Sequence, residues 1–217
     1  MSSPLVLPQT SPVMILPECN FFPFTPLPLR VFEPRYRAML AAALEGDRMF
    51  CVGTRILPGE TAAEDLPVDE GAGIYVHGTI GLVRACVTNP DGTSHLLLEG
   101  LGRVLFAGWI REEPYRIAAV QAVETVTEDE ETVRAGTRRV LVAAGRLVER
   151  GMRCPPQLDL RPETALPPEV VADVVANYFL GNVRERHELL AMDSLDQRLE
   201  FLERLLKGQL GALGSAP

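Results

Sequence analysis

From Arg48 to Val123 the sequence has no helical period, and this most constrains the fold. The segments "MFCVGTRIL", "YVHGTIGLVRACV", "SHLLLEG", "RVLFAGWI" and "YRIAAVQAV" are short, rich in β-branched and aromatic residues, and separated by glycines or turns. "NPDG" carries the residues a tight turn needs. Many short strands with bends and no crossover helices predict a small β-barrel or sandwich. Between the first two lies "LPGETAAEDLPVDEGAG", a polar loop of acidic and breaker residues.

After Val123 the period changes. "TEDEETVRAGTRRVLVAAGRLVERG" opens with Thr127 and Glu130 at capping-box spacing, acids crowd its start, and Arg146 and Arg150 lie near its end. Val133, Val140, Leu141, Ala144, Leu147 and Val148 form its apolar stripe. A proline-rich connector, "CPPQLDLRPETALPP", leads to the helices "EVVADVVANYFLG", "VRERHELLAM" and "SLDQRLEFLERLLKGQL". Ser194 and Gln197 mark a second capping box, and Glu203 and Lys207 stand one helical turn apart. The expected organisation is a flexible leader over 1–12, a β-barrel subdomain over 13–126, a helical subdomain over 127–207 and a frayed tail over 208–217.

Ahead of the strands comes "LPLRVFEPRYRAML". Pro17, Pro23, Pro26 and Pro28 punctuate this region. Proline gives no N–H to a ladder, so the chain here is edge strand and extended segment. Pro34 fits the first position of a helix near 34–45, with Gly46 as its stop. Two readings of the corner stand side by side. In one, Glu33 and Pro34 are a structural strand-to-helix corner, with Phe32 and Tyr36 locked into the core. In the other, Arg30, Arg35, Tyr36 and Arg37 form a recognition patch. The fit of Pro34 to the helix-start rule favours the structural reading.

Chemistry is harder to find. Cys19, Cys51, Cys86 and Cys154 are too scattered for a metal clip and suit a reducing compartment. No G-x-S-x-G elbow or phosphate-binding G-x-x-x-x-G-K-[ST] occurs. Lys207 is the only lysine, and its position beside Glu203 favours the protonated form, which makes it a poor base. His77, His95 and His187 have no local partners that would set up a triad. The net charge of −8 argues against nucleic acid as a partner. The N-terminus lacks the basic start of a signal peptide, and no apolar run is long enough for a membrane span, so a cytoplasmic protein is expected.

"FFPFTPLPLRVFEPRYRAML" resembles the opening of the Lon protease N-terminal, substrate-binding domain. That family carries Pro-Leu-x-Ile-Phe-Glu-Pro-Arg-Tyr; here the match runs from Pro28 to Tyr36. The likeness continues through an Asp-Gly turn, Gly100 to Arg103, and Tyr115, and then "LPPEVVADVVANYFL", "HELLAM" and "QRLEFLERLL", over roughly residues 13–207. One departure is that the family's Phe-Pro-Gly reads Phe22-Pro23-Phe24 here. The resemblance implies an α+β fold, a PUA-like pseudo-barrel followed by a helical bundle. It further implies a stand-alone member without ATPase and peptidase modules: a non-enzymatic module, without cofactor or metal, that recognises unfolded or exposed protein segments. Such a module would act as an adaptor in protein quality control beside a separate ATP-dependent protease. The candidate peptide-binding residues are Arg30, Phe32, Arg35, Tyr36 and Arg103. The alternative is a small-molecule-binding protein or minor enzyme, with Arg30, Arg35, His77 and Arg103 meeting in a barrel pocket.

Overall fold

The computed structural model describes residues 7–56, 68, 69, 71, 73–156, 158–162 and 164–214. The start of the expected leader, most of the acidic loop and the end of the tail lie outside these residues. The chain divides into two compact units, Met1–Val123 and Glu124–Pro217.

The first unit holds β1 (Thr10–Pro17), β2 (Pro26–Val31), α1 (Pro34–Glu45), β3 (Met49–Arg55), β4 (Val68–Asp69), β5 (Ile74–Thr88), β6 (Ser94–Arg111) and β7 (Ile117–Ala122). The strands form one mixed sheet in the order β2-β6-β7-β1-β3-β5-β4. A further pairing of β5 with β6 closes the sheet on itself as a barrel. β1 and β3 run parallel, as the helix between them allows, and the other pairings are antiparallel.

Two differences from the sequence reading have physical causes. "SHLLLEG" and "RVLFAGWI" are one strand, because the register shifts around Gly100 and Gly108 let β6 bend without ending. A side chain at Gly100 would overlap the Phe22 carbonyl, so only glycine lets the Phe22 backbone cross β6. The second difference is that β1 begins at Thr10, inside the expected leader, because Thr10–Pro12 pair with Ile117–Ala119.

Two apolar clusters fill the barrel unit. One joins α1 (Tyr36, Met39, Leu40, Ala43) to Phe21, Val31, Phe50, Leu96 and Leu98. The other gathers Val13, Ile15, Cys51, Ile80, Val104, Phe106 and Val120. Fully burying each large apolar side chain contributes roughly 1.5–3 kcal/mol. The segment before β2 is fixed by buried hydroxyls: Thr54 donates to the Cys19 carbonyl (2.8 Å) and Thr25 to that of Phe22 (2.7 Å).

The second unit holds α2 (Glu130–Glu149), α3 (Pro168–Phe179), α4 (Val183–Ala191) and α5 (Leu195–Gly214). Its core is the predicted stripes: Val140, Leu141, Ala144 and Leu147 of α2, Val171, Val174, Val175 and Phe179 of α3, and Leu195, Leu199, Leu202 and Leu206 of α5. The N-cap of α2 is Asp129, not Thr127; its carboxylate accepts from the N–H groups of Glu131 (3.2 Å) and Thr132 (3.0 Å). Residues before it are held extended, with Val126 bridged to Ser194 and the Glu128 N–H donating to Asp196 (3.0 Å). Ser194 caps α5 as expected, accepting weakly from Gln197 N–H (3.4 Å). The helix continues to Gly214 instead of fraying at 208, since Gln209 donates to the Phe179 carbonyl (3.0 Å) and Arg150 to that of Leu210 (2.7 Å).

Candidate functional site

The corner that dominated the sequence splits into an inner and an outer part. Glu33 is the N-cap residue of α1, but its side chain caps nothing; it pairs with Arg35 at 2.7 Å. Pro34 occupies the first turn, where the absent N–H is harmless. Tyr36 points inward and is buried. Its hydroxyl accepts from the Ile15 N–H (3.1 Å) and donates to the Ile15 carbonyl (3.0 Å). The Arg35 guanidinium lies 4.5 Å from the centre of its ring. Phe32 goes the other way: instead of locking the corner into the core it is 60% exposed. Alternation explains this. Leu27, Leu29 and Val31 face the core, so Pro26, Pro28, Arg30 and Phe32 face outward.

The outward residues continue a surface across three strands. Pairing sets Arg30 beside His95 and His95 beside Val87. The next row is Pro28, Leu97 and Ala85. Leu97 and Val87 are solvent-exposed, at 39% and 66%. The result is an apolar patch of Pro28, Leu97, Ala85 and Val87, with Phe32 beyond Arg30 on the same face. Its rim is polar, with Arg30, His95 and an exposed Arg84–Glu99 ion pair. An exposed apolar patch with a polar rim is the usual form of a contact surface.

The free edge of β2 is unsuited to adding a strand. Pro26 and Pro28 have no N–H, so they must sit at the positions of the β2–β6 pair that do not donate to β6. They therefore remove the outward N–H groups an incoming strand would use. A partner meeting this unit here would have to do so through side chains on the face.

Of the five predicted contact residues, Arg30, Phe32 and Arg35 are exposed near one another in sequence and fold. Tyr36 and Arg103 are not surface groups; Arg103 is only 4% exposed. Arg103 pairs with Thr79 across β5–β6, whereas Arg30 lies opposite His95, eight residues away on β6. The pocket imagined from Arg30, Arg35, His77 and Arg103 is therefore not assembled. His77 is kept neutral-leaning instead, its pKa lowered by burial and by the charge of Arg103.

Leu97 and Val87 are the residues sequence reasoning missed. In "SHLLLEG", Ser94, Leu96 and Leu98 take the inward phase. Leu97 is then an apolar residue on the outward phase, and that was the available signal.

Groups with reactive potential are subdued. Burial raises the Cys51 thiol to about 12 despite a hydrogen bond with Ser11. Lys207 is tied to Glu203 at 2.6 Å. Among the described residues no group of three or more His, Cys, Asp or Glu gathers as a cation site, and no helix is long and apolar enough to cross a membrane.

The family described as the ATP-dependent protease La (LON) substrate-binding domain matches residues 10–208. The Lon protease of Azospirillum brasilense is 26% identical over 202 residues, covering 93% of this chain and 24% of that protein. Lon protease 2 of Herpetosiphon aurantiacus matches at the same identity and coverage. The chain thus spans about a quarter of the length of these curated relatives. Among solved structures, the N-terminal domain of Mycobacterium avium complex Lon protease superposes with a TM-score of 0.63 at 16% identity, covering 91% of this chain and 98% of that one. A Lon N-terminal domain protein from Xanthomonas campestris gives 0.60 at 20% identity, covering 96% and 99%. These likenesses show the α+β fold.

Proposed function

From the premise that this chain belongs to the Lon substrate-binding domain family, we propose that its barrel unit recognises exposed apolar segments of other polypeptides. The contact surface in this reading is the outer face of β2, β6 and β5, with Phe32, Leu97 and Val87 as apolar anchors and Arg30 and Arg35 at the rim. Family membership supports a role in substrate recognition. The observation that supports the location is the exposure of Phe32, Leu97 and Val87 on the outward face of adjacent strands. Folded proteins bury such side chains, so an unfolded client offers what this patch lacks. The domain binds and leaves cutting to others; a separate ATP-dependent protease is the partner this role calls for, with the chain as an adaptor in quality control.

The test is fluorescence anisotropy with a labelled polypeptide kept unfolded by carboxymethylation. The intact protein should bind it saturably. Phe32→Ser combined with Val87→Ser should weaken binding about tenfold, the scale of two modest contact residues, without unfolding the protein. Equal binding by the double variant would move the site elsewhere, and no saturable binding by either protein would end the proposal.

A further inference from the structure

The helical unit carries a concavity, of about 250 Å³, between α2 and the last turns of α5. Its floor is apolar: Val142, Ala143 and Leu210. Its rim is cationic, with Arg138, Arg139, Arg146 and Lys207 against the single carboxylate of Glu203. This is a local inversion of sign in a chain of net charge −8.

The cations are not equivalent. Glu203 is already engaged, accepting from Arg139 at 2.7 Å and Lys207 at 2.6 Å. That arrangement neutralises the only acid that would repel an anionic guest and fixes one wall. Arg150 ties α2 to α5 here by donating to the Leu210 carbonyl at 2.7 Å. Arg138 and Arg146 remain: both are exposed, and among the described residues no carboxylate pairs with either. They stand one turn before and one turn after Val142 on the same face of α2, about 12 Å apart by helical rise. Val142 is itself 42% exposed.

We propose that this groove docks an acidic amphipathic helix of a partner protein. The guest inserts one bulky apolar side chain over Val142, and carboxylates one turn to either side meet Arg138 and Arg146. Charge complementarity selects the partner, because the rim offers two unspent guanidinium groups at the spacing of two helical turns. The apolar floor selects against a nucleic-acid backbone, which has phosphates for the rim and nothing for Val142, Ala143 and Leu210. The groove is on the other compact unit, so this inference does not rest on the barrel-face reading.

The probe is a fluorescein-labelled peptide with Glu-x-x-x-Leu-x-x-x-Glu on a helix-forming Ala/Gln background, titrated with the full chain. Saturable binding is expected. Arg138→Glu with Arg146→Glu should weaken it about tenfold, and the peptide with both Glu changed to Lys should bind that variant and not the wild type. Both arginines are exposed, so circular dichroism should show an unchanged fold. Val142→Ser should weaken binding without changing its salt dependence. Absence of binding, or equal binding by the charge-reversed variant, overturns the proposal. So does a single-stranded RNA oligonucleotide that competes equally well, because that would make the rim a phosphate patch. The unfolded polypeptide assay reads the barrel face separately.

Discussion

Tyr36→Phe removes a single oxygen atom, and the structure says what depends on it. β7 accompanies β1 only over Thr10–Pro12, with one more bond from Val13 N–H to the Arg116 carbonyl. Past that point β1 has β3 on one side and, among the described residues, no strand on the other. The Tyr36 hydroxyl fills the gap, taking both the N–H and the C=O of Ile15. The phenylalanine ring would keep its place in the cluster with Met14 and Phe50 but strand both backbone groups. Each buried group left without a partner costs about 1–3 kcal/mol. A cavity of about 150 Å³, lined in part by Ile15 and Tyr36, lets water repay some of this, so a total of about 2–3 kcal/mol is expected. With unfolding entropy of about 2.1 cal/mol/K per residue over roughly 120 residues, that corresponds to a Tm about 10 °C lower.

Trp109 makes the measurement specific. It is the only tryptophan and lies in β6, so its fluorescence in a urea titration reports the barrel unit. Hydrogen exchange at the Ile15 amide supplies a local check, and its protection should fall further than that of its strand neighbours. A variant within about 0.5 kcal/mol of wild type, with Ile15 still protected, would refute the claim that this hydroxyl stands in for a missing strand.

Three further outcomes follow from other sites. Phe24 has φ of 58° and a ring 42% exposed, so Phe24→Gly relieves left-handed strain at little loss of packing and should raise the urea-derived stability by about 0.5 kcal/mol; a loss would mean the ring matters more than the strain. Asp173→Ala leaves the buried Arg198 guanidinium without its carboxylate and should cost about 3–5 kcal/mol in a far-UV melt, whereas Asp173→Leu with Arg198→Met should recover most of it. Burial pushes the Glu203 carboxyl up, but hydrogen bonds from Lys207 and Arg139 outweigh it and hold the pKa below the ordinary value. The native state therefore binds fewer protons than the unfolded one, so this stability is present above the unfolded pKa of about 4.3 and is lost as pH falls through the native value. Urea titrations of Glu203→Gln between about pH 6 and about pH 3 should show a shallower acid loss than wild type.

What the sequence revealed, and what it hid, divides by range of interaction. The change of period near Val123, the helix at Pro34 and the stripes of α2, α3 and α5 depend on neighbours a few residues away, and they are readable. Local spacing misplaces the N-cap of α2 because Val126 and Glu128 are held by Ser194 and Asp196, far along the chain. Asp129, with two acceptor oxygens, then takes the cap. It misplaces the end of α5 for the same reason: Phe179 and Arg150 supply partners that a frayed tail would lack. Arg103 reads as a surface cation, because nothing local in "GLGRVLF" announces that it is buried, opposite Thr79 and near His77.

The motif from Pro28 to Tyr36 carries the family resemblance, and its physics explains why the proposed recognition surface would sit beside it. Each residue type serves the fold in its own way. The prolines blunt an edge, Leu29 and Val31 fill the barrel, Pro34 starts the helix, and Tyr36 completes β1. These roles consume the inward phase of β2 and leave Arg30 and Phe32 on the outward one. Because β2 lies on β6 and β6 on β5, that leftover phase is continuous with Leu97 and Val87. An exposed phenylalanine there contributes nothing to closing the barrel. Changing Phe32 should therefore alter what the protein binds while leaving its stability within about 0.5 kcal/mol, the reverse of the effect expected at Tyr36, four residues later.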